Sequence, residues 1–157
     1  MKKLTLTITI AAVLTAVFLA LAFPVSAQEQ EEVTFTLDMC YSPEGWAFGT
    51  FTAEGAVTGS GVTYDEFEKP SGTMRGVKWL GVGTDDMIIM KFNARVIPVS
   101  HKEEQWIGHF VIDSGTGAYE GLNGQGTIDL RLREKRCKYE GAVFPFSLDG
   151  TYSGVVQ

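Results

Sequence analysis

Apolar and polar residues alternate along most of the chain after residue 30, and helical spacing of apolar residues is almost absent. The alternation is clearest from Ile88 to Val96, where every second residue is apolar and Lys91, Asn93 and Arg95 lie between them. A period of two residues places one face of a β-strand in a core and the other face in solvent. The pattern therefore predicts an all-β domain.

Seven other segments have strand length and are bounded by turn residues. They are VTFTLDM, GWAFGTFTAEG, VTGSGVTYDEFE, TMRGVKWLGVG, WIGHFVID, GTIDLRLR and VFPFSLDGTYSG. The third is the hardest to assign, and the stretch DEFEKPSG that ends it has the composition of a loop. About eight strands in a meander, without a long crossover, fit either a closed up-and-down barrel or a two-sheet sandwich.

Glycines within the predicted strands favour the barrel. Gly49, Gly76, Gly81 and Gly108 suit a strongly curved wall, because bends and close approaches favour a residue without a side chain. Eight strands close around an interior just wide enough for packed side chains or one small ligand. We therefore expect a single antiparallel up-and-down β-barrel of about eight strands.

The first 27 residues have the parts of a secretory signal peptide. A positive start at Lys2 and Lys3 precedes a long apolar stretch, Pro24 interrupts it, and the small residues of VSA suit cleavage after Ala27. We expect a signal-peptide helix over residues 1–27, with a retained N-terminal anchor as the alternative. Residues 28–157 then form one barrel domain. The protein would be secreted or periplasmic, without stable membrane insertion after cleavage.

The net charge disfavours two classes of partner. The chain has 13 basic and 19 acidic residues and a formal charge of -6, and loss of Lys2 and Lys3 leaves 11 against 19, or -8. Such a surface repels nucleic acid and anionic membranes. The basic run RLREKRCK, residues 131–138, is either a phosphate-binding patch or a solvated strand face. Its alternation with Leu130 and Leu132 favours the strand face.

Two cysteines, Cys40 and Cys137, are present in a chain that is expected to leave the reducing cytoplasm. Pairing is the default in oxidising compartments, with two separate buried thiols as the alternative. The two residues are 97 positions apart, near the ends of the first and seventh predicted strands, so a disulfide would join the beginning of the chain to its end. Neither cysteine has the neighbours of a metal site.

The segment IDSGTGAYEGLNGQGTID is either a phosphate-binding loop or a turn. A phosphate loop needs a helix after it, whereas Thr127 to Arg133 alternate as a strand. The structural interpretation assigns the glycines to two reversals that need positive φ. The first reversal uses Gly115 and Gly117, and the second uses Gly121, Gly124 and Gly126. We expect Tyr119 to pack its ring over the barrel end.

The overlapping stretch FVIDSGTGAYEGLNGQGTI resembles a motif of allene oxide cyclase-like barrel proteins and their dirigent relatives. In that motif a strand ends in Gly-Thr-Gly-x-Tyr and a Gly-x-Gly pair opens the next strand. The resemblance covers about residues 106–132. It implies an eight-stranded barrel whose lumen holds an apolar or phenolic molecule, as a cyclase or as a chaperone of radical coupling. The functional residues of those families match no positions here. Lipocalins are the other comparison, although Gly45-Trp46 matches their Gly-x-Trp element only loosely.

Catalytic and metal-binding combinations are sparse. Ser114, His109 and Asp113 could be assembled into a triad, but neighbours on one strand alternate faces and no nucleophile elbow is present. His109 is expected to be a satisfied wall histidine, and His101 falls in a charged loop. The acidic pairs Asp85-Asp86 and residues 65–68 could hold calcium, but such runs are usually solvated loop tips. No cofactor is expected.

Two functions remain from this sequence. The first is non-catalytic binding of a small apolar or aromatic ligand, or a structural or interaction module. The aromatic residues of the wall support it: Trp46, Phe48, Phe51, Trp79, Phe92, Trp106, Phe110, Phe144 and Phe146. The alternative is a cyclase or isomerase in which a pre-shaped cavity folds a reactive substrate. Only the family resemblance supports the alternative.

Overall fold

The computed structural model describes residues 29–69 and 72–157. The expected signal peptide, residues 1–27, lies outside the described residues. Apart from one 3-10 turn at Gly117–Tyr119, the regular elements of this part are strands. They are β1 (Glu31–Ser42), β2 (Trp46–Gly55), β3 (Gly59–Glu68), β4 (Thr73–Leu80), β5 (Ile88–Ser100), β6 (Glu103–Gly115), β7 (Gly124–Arg133), β8 (Cys137–Tyr139), β9 (Ala142–Phe144) and β10 (Phe146–Val156). Over these residues, a helix of membrane-spanning length and apolarity is absent.

Eight of the strands form a closed antiparallel barrel, in the order β1-β10-β7-β6-β5-β4-β3-β2. Consecutive strands pair as hairpins from β1 to β7, and β10 closes the wall between β7 and β1. The predicted up-and-down barrel is therefore confirmed, and the sandwich alternative is wrong. We call the end that carries the β1–β2, β3–β4 and β5–β6 turns the mouth, and the opposite end the base.

The barrel interior is filled by alternate side chains of every strand. The predicted inward row on β5 is confirmed, because Ile88, Met90, Phe92 and Ala94 are all buried. The largest fully buried side chains are Trp106, Tyr152, Phe35, Lys78, Phe110, Leu37, Met39, Met74, Leu80, Ile88, Met90 and Ile128. Burial of this much apolar surface is the main stabilising contribution to such a domain. In this conformation the lumen of the barrel is therefore filled by the protein's own side chains.

Close approach between strands explains several wall glycines. A Cβ added at Gly49, Gly76 or Gly108 would collide with a carbonyl oxygen of the neighbouring strand. These three positions therefore require glycine for the curvature of the wall. Gly81 differs from the prediction, since it follows the end of β4 and takes a φ of 82° in the β4–β5 loop.

A small second sheet, β8 paired with β9, is an unpredicted hairpin on the outside of the wall. The prediction of one strand face through residues 131–138 is wrong, because β7 ends at Arg133 and Cys137 opens β8. The predicted disulfide joins Cys40 of β1 to Cys137, with a Cα–Cα distance of 5.4 Å across 97 residues. Cys137 therefore fixes the hairpin to the wall.

Candidate functional site

The barrel interior contains a buried ion pair. Asp65 on β3 and Lys78 on β4 are direct partners across the two strands, and their side chains meet at 2.6 Å between Oδ1 and Nζ. Their side chains are only 1% and 0% exposed. The sequence-based placement of Asp65 in a solvated loop is therefore wrong. Residues 65–68 belong to β3, and the inward register of that strand carries Asp65 into the core.

Three further side chains complete this interior polar cluster. The Nζ atom of Lys78 lies 3.4 Å from the sulfur of Met39 and 5.0 Å from the ring centroid of Tyr152. The Tyr152 hydroxyl and the Thr63 hydroxyl are buried and have no hydrogen-bond partner. A buried polar group without a partner costs about 1–3 kcal/mol. The cluster therefore combines one strong pair with two hydroxyls that have spare bonding capacity.

Burial dominates the protonation of the cluster. Loss of water raises the pKa of Asp65 and lowers the pKa of Lys78, while the attraction and hydrogen bond between the two groups oppose both shifts. Burial also raises the pKa of Tyr152 well above its ordinary value, with a further contribution from the charge of Asp65. Asp65, Lys78 and Tyr152 are all buried, so in this conformation their polar atoms are shielded from solvent.

The mouth of the barrel holds a pocket of about 260 Å³. Tyr41, Leu132 and Phe146 are among its apolar lining residues, and Lys69 and Glu104 are among its polar ones. A register irregularity between Pro98 and Ser100 alters the wall where β5 turns into β6. Bulges of this kind are common at barrel rims beside binding sites.

A group of aromatic rings supports this mouth pocket from below. The ring of Tyr41 stacks on Phe67 with centroids 5.4 Å apart, and it meets Trp106 and Phe146 edge to face at 5.7 and 5.6 Å. Phe67 and Trp106 also meet edge to face at 6.0 Å. Tyr41 is only 6% exposed, so its ring is fixed by packing. The lining is therefore rigid and aromatic.

Glu104 connects the mouth pocket to the core. Its carboxylate accepts a hydrogen bond from Trp106 Nε1 at 3.2 Å and pairs with Lys69 Nζ at 2.8 Å. Burial raises the pKa of the Tyr41 hydroxyl, and the negative charge of Glu104 raises it further. Tyr41 therefore remains a neutral phenol that can donate a hydrogen bond at neutral pH.

The glycine-rich segment lies at the base, and its glycines serve two different purposes. Gly117 and Gly121 have positive φ angles of 57° and 81°. The expectation of positive φ at the other three glycines is corrected, because Gly115 ends β6 and Gly124 and Gly126 lie in β7. A Cβ at any of these three would approach neighbouring atoms too closely. β7, a strand, follows the segment, which excludes the helix that a phosphate loop needs.

Hydrogen bonds attach this segment to the β4–β5 loop. The Thr116 hydroxyl donates to Asp85 O at 2.6 Å and accepts from the Met87 N–H at 3.0 Å, and the Ala118 N–H donates to Asp86 Oδ1 at 2.8 Å. Tyr119 packs against the core in a partly buried position. Asp85 and Asp86 are thus structural partners of the turn.

The remaining candidate residues are dispersed. His109 lies in the wall, exposed on the outer face of β6 together with Ile107 and Val111, as the alternation predicts. Asp113 pairs with Lys91 at 2.6 Å. His101 lies in the β5–β6 turn. Within residues 29–69 and 72–157, no group of three or more His, Cys, Asp or Glu side chains is placed to hold a metal ion.

Fold and site together define an eight-stranded antiparallel barrel with a charged pair in a filled interior and an aromatic pocket at its mouth. Comparison of the chain with protein-family models, with curated proteins and with solved structures finds no match.

Proposed function

We propose that the protein is an exported, non-catalytic β-barrel that binds a small aromatic ligand in the mouth pocket. The observation that carries this proposal is the position of the 260 Å³ pocket directly over the packed rings around Tyr41. Small-molecule pockets span about 300–1,000 Å³ and place a few polar groups around an apolar lining. At 260 Å³ the mouth pocket lies just below this range, so it suits a ligand of one or two rings.

The lining chemistry supports an aromatic ligand. Rings prefer offset or edge contacts with other rings, and Tyr41 and Phe146 are the aromatic residues that line the pocket. The rim adds charged groups of both signs, including Lys69 and Glu104, which can orient a polar substituent. A pocket lining held rigid by packing loses little entropy when a ligand binds.

The filled interior favours the mouth over the lumen as the binding site, and it disfavours the cyclase or isomerase alternative. Asp65, Lys78 and Tyr152 are the interior groups capable of proton transfer, and all three are buried among other side chains. Kinship with allene oxide cyclase-like barrels is part of this proposal. Support comes from the closed eight-stranded wall and from Gly115-Thr116-Gly117 at the end of β6.

Export is also proposed and rests on the signal-like first 27 residues. The Cys40–Cys137 disulfide is compatible with an oxidising compartment. Cell fractionation with N-terminal sequencing tests this part of the proposal. A mature protein that starts at Gln28 outside the cytoplasm is expected, and a cytoplasmic chain retaining Met1 would contradict it.

The ligand proposal is tested by titrating the ¹⁵N-labelled mature protein with phenol, indole, naphthalene-type fragments and cyclohexanol as the non-aromatic control. The indole N–H of Trp106 is expected to shift with the aromatic fragments, because its acceptor Glu104 borders the pocket. Ser100→Trp should fill the pocket and abolish the shift. Val99→Trp adds the same bulk at the adjacent exposed residue and should leave binding intact. Equal shifts with cyclohexanol, or binding unaffected by Ser100→Trp, would refute the proposal.

A further inference from the structure

A second concave surface lies on the outside of the wall. This outer groove has a volume of about 760 Å³ and crosses β3 and β4 beside the β1–β2 turn. Gly76 of β4 is among the residues that line it. Trp46, Tyr64 and Glu66 line it from β2 and β3, and Arg75 lines it from β4, where it is the cross-strand partner of Glu68.

Partly exposed aromatic rings continue across the wall beside this groove. Phe48, Tyr64 and Trp79 are register partners on β2, β3 and β4, with ring centroids 5.7 and 5.6 Å apart. The β8–β9 hairpin covers only one end of this row, where Tyr139 contacts Phe48 and Phe144 contacts Trp46. Tyr64 and Trp79 extend beyond those contacts, so anchoring the hairpin does not account for them.

Two carboxylates lie at the ring edges without a cation. Glu44 accepts a hydrogen bond from Trp46 Nε1 at 3.4 Å, and Glu66 accepts one from the Tyr64 hydroxyl at 2.9 Å. Glu66 is also the direct cross-strand partner of Trp46, which places a negative charge between two rings. Among the described residues, the ion pairs of the wall do not include either glutamate.

The cationic residues of the groove are already neutralised. Arg75 pairs with Glu68 at 3.0 Å, and Lys91 pairs with Asp113 at 2.6 Å. Glu44 and Glu66 therefore leave the groove with uncompensated negative charge at the edges of the Trp46 and Tyr64 rings. A cation over an aromatic face is attracted by the ring quadrupole, and carboxylates strengthen that attraction. Anionic ligands are repelled by the same charges.

We propose that the outer groove binds an organic ammonium cation, with a quaternary ammonium headgroup held against Trp46 and Tyr64 beside Glu44 and Glu66. The carboxylates already accept hydrogen bonds from the rings, so the site suits a cation that needs charge and apolar contact more than hydrogen bonds. A quaternary group has no N–H donor and presents methyl groups to the rings. Aromatic residues are the usual recognition surface for such groups.

The test is an NMR titration of the ¹⁵N-labelled mature protein with choline chloride, with sodium chloride at matched ionic strength as the reference. Choline should shift the Trp46 indole N–H, and 3,3-dimethylbutanol, its uncharged carbon analogue, should bind at least about tenfold more weakly. Glu66→Gln and Tyr64→Leu should each weaken choline binding by about fivefold. Glu54→Gln removes a charge from the exposed far end of β2 and should change the affinity by less than twofold.

Co-sedimentation with phosphatidylcholine vesicles distinguishes the source of the headgroup. Binding to vesicles as well as to choline assigns a lipid surface, and binding to choline alone assigns a free small molecule. Either outcome supports an ammonium site. The proposal would be overturned by equal binding of 3,3-dimethylbutanol, by Glu66→Gln behaving like Glu54→Gln, or by a preference for anionic phosphatidylglycerol vesicles.

Discussion

Breaking the Asp65–Lys78 pair on one side should destabilise the barrel far more than replacing both residues. Lys78→Met leaves the Asp65 carboxyl without its cation in a site that is 1% exposed. Loss of one partner of a buried pair costs about 3–5 kcal/mol. At about 3–5 °C per kcal/mol for a domain of this size, the melting temperature should fall by roughly 10–20 °C.

The double variant Asp65→Val/Lys78→Met should recover most of this loss. Replacing a whole buried pair by apolar residues of similar volume is often neutral, or stabilising by about 1–4 kcal/mol, because no charge remains to be desolvated. Urea unfolding of the wild type, the single variant and the double variant at pH 7, followed by near-ultraviolet circular dichroism, measures all three free energies of unfolding. The reasoning is refuted if Lys78→Met costs less than about 1 kcal/mol, or if the double variant is as unstable as the single one.

The pH dependence of the same comparison has a defined sign. Burial raises the pKa of Asp65 above its ordinary 3.8, so its contribution to stability is fully present below pH 3.8 and is lost as pH rises through the folded-state pKa. Burial lowers the pKa of Lys78 below its ordinary 10.5, so its contribution is present above pH 10.5 and is lost as pH falls through the folded-state pKa. The free energy of unfolding of the wild type minus that of the double variant should therefore be lowest near neutral pH. A maximum there would contradict both pKa directions.

Three other substitutions test separate features. Tyr152→Phe removes a buried hydroxyl that has no partner and should raise the free energy of unfolding by about 1 kcal/mol, whereas a loss in urea unfolding would show that the hydroxyl is satisfied. Cys40→Ser/Cys137→Ser should cost about 4–5 kcal/mol by the loop-entropy model, and calorimetry that shows no change would contradict the role of the bridge. Gly117→Ala should lower the melting temperature more than Gly83→Ala. Both glycines have positive φ, but only at Gly117 would the new Cβ collide with Asp86, so equal effects would exclude that collision as a cause.

The barrel could be predicted because strand alternation is a local property of the sequence. The apolar residues at every second position of β5, starting at Ile88, indicate which face of that strand is buried, whatever the other strands are. The glycines of the wall indicate its curvature. The β8–β9 hairpin could not be predicted, because three-residue strands are too short to show a period. The predicted disulfide of Cys137 indicates that this region is joined to β1, but it does not indicate that the β8–β9 hairpin lies outside the wall.

The interior pair could not be predicted from composition, because aspartate and lysine are almost always exposed. Asp65 shares the inward face of β3 with the buried residues Thr63 and Phe67. Lys78 likewise shares the inward face of β4 with Met74 and Leu80. The position of each residue in the alternation of its strand was therefore the available sign that its side chain points inward. The pairing of Asp65 with Lys78 also depends on the register between β3 and β4, which cannot be predicted from either residue alone.

The interior ion pair limits where the barrel can bind a ligand. Trp106 is buried at 1% exposure and donates its indole N–H to Glu104 at the rim, so the orientation of that carboxylate depends on a core side chain. Lys78 and Asp65 occupy the space deeper in the lumen that a larger ligand would need. Opening that space would require an ion pair to be separated inside the barrel, which is costly. Binding at the mouth requires no such change, because the rings of Tyr41, Phe67 and Trp106 are already packed against one another beneath the mouth pocket.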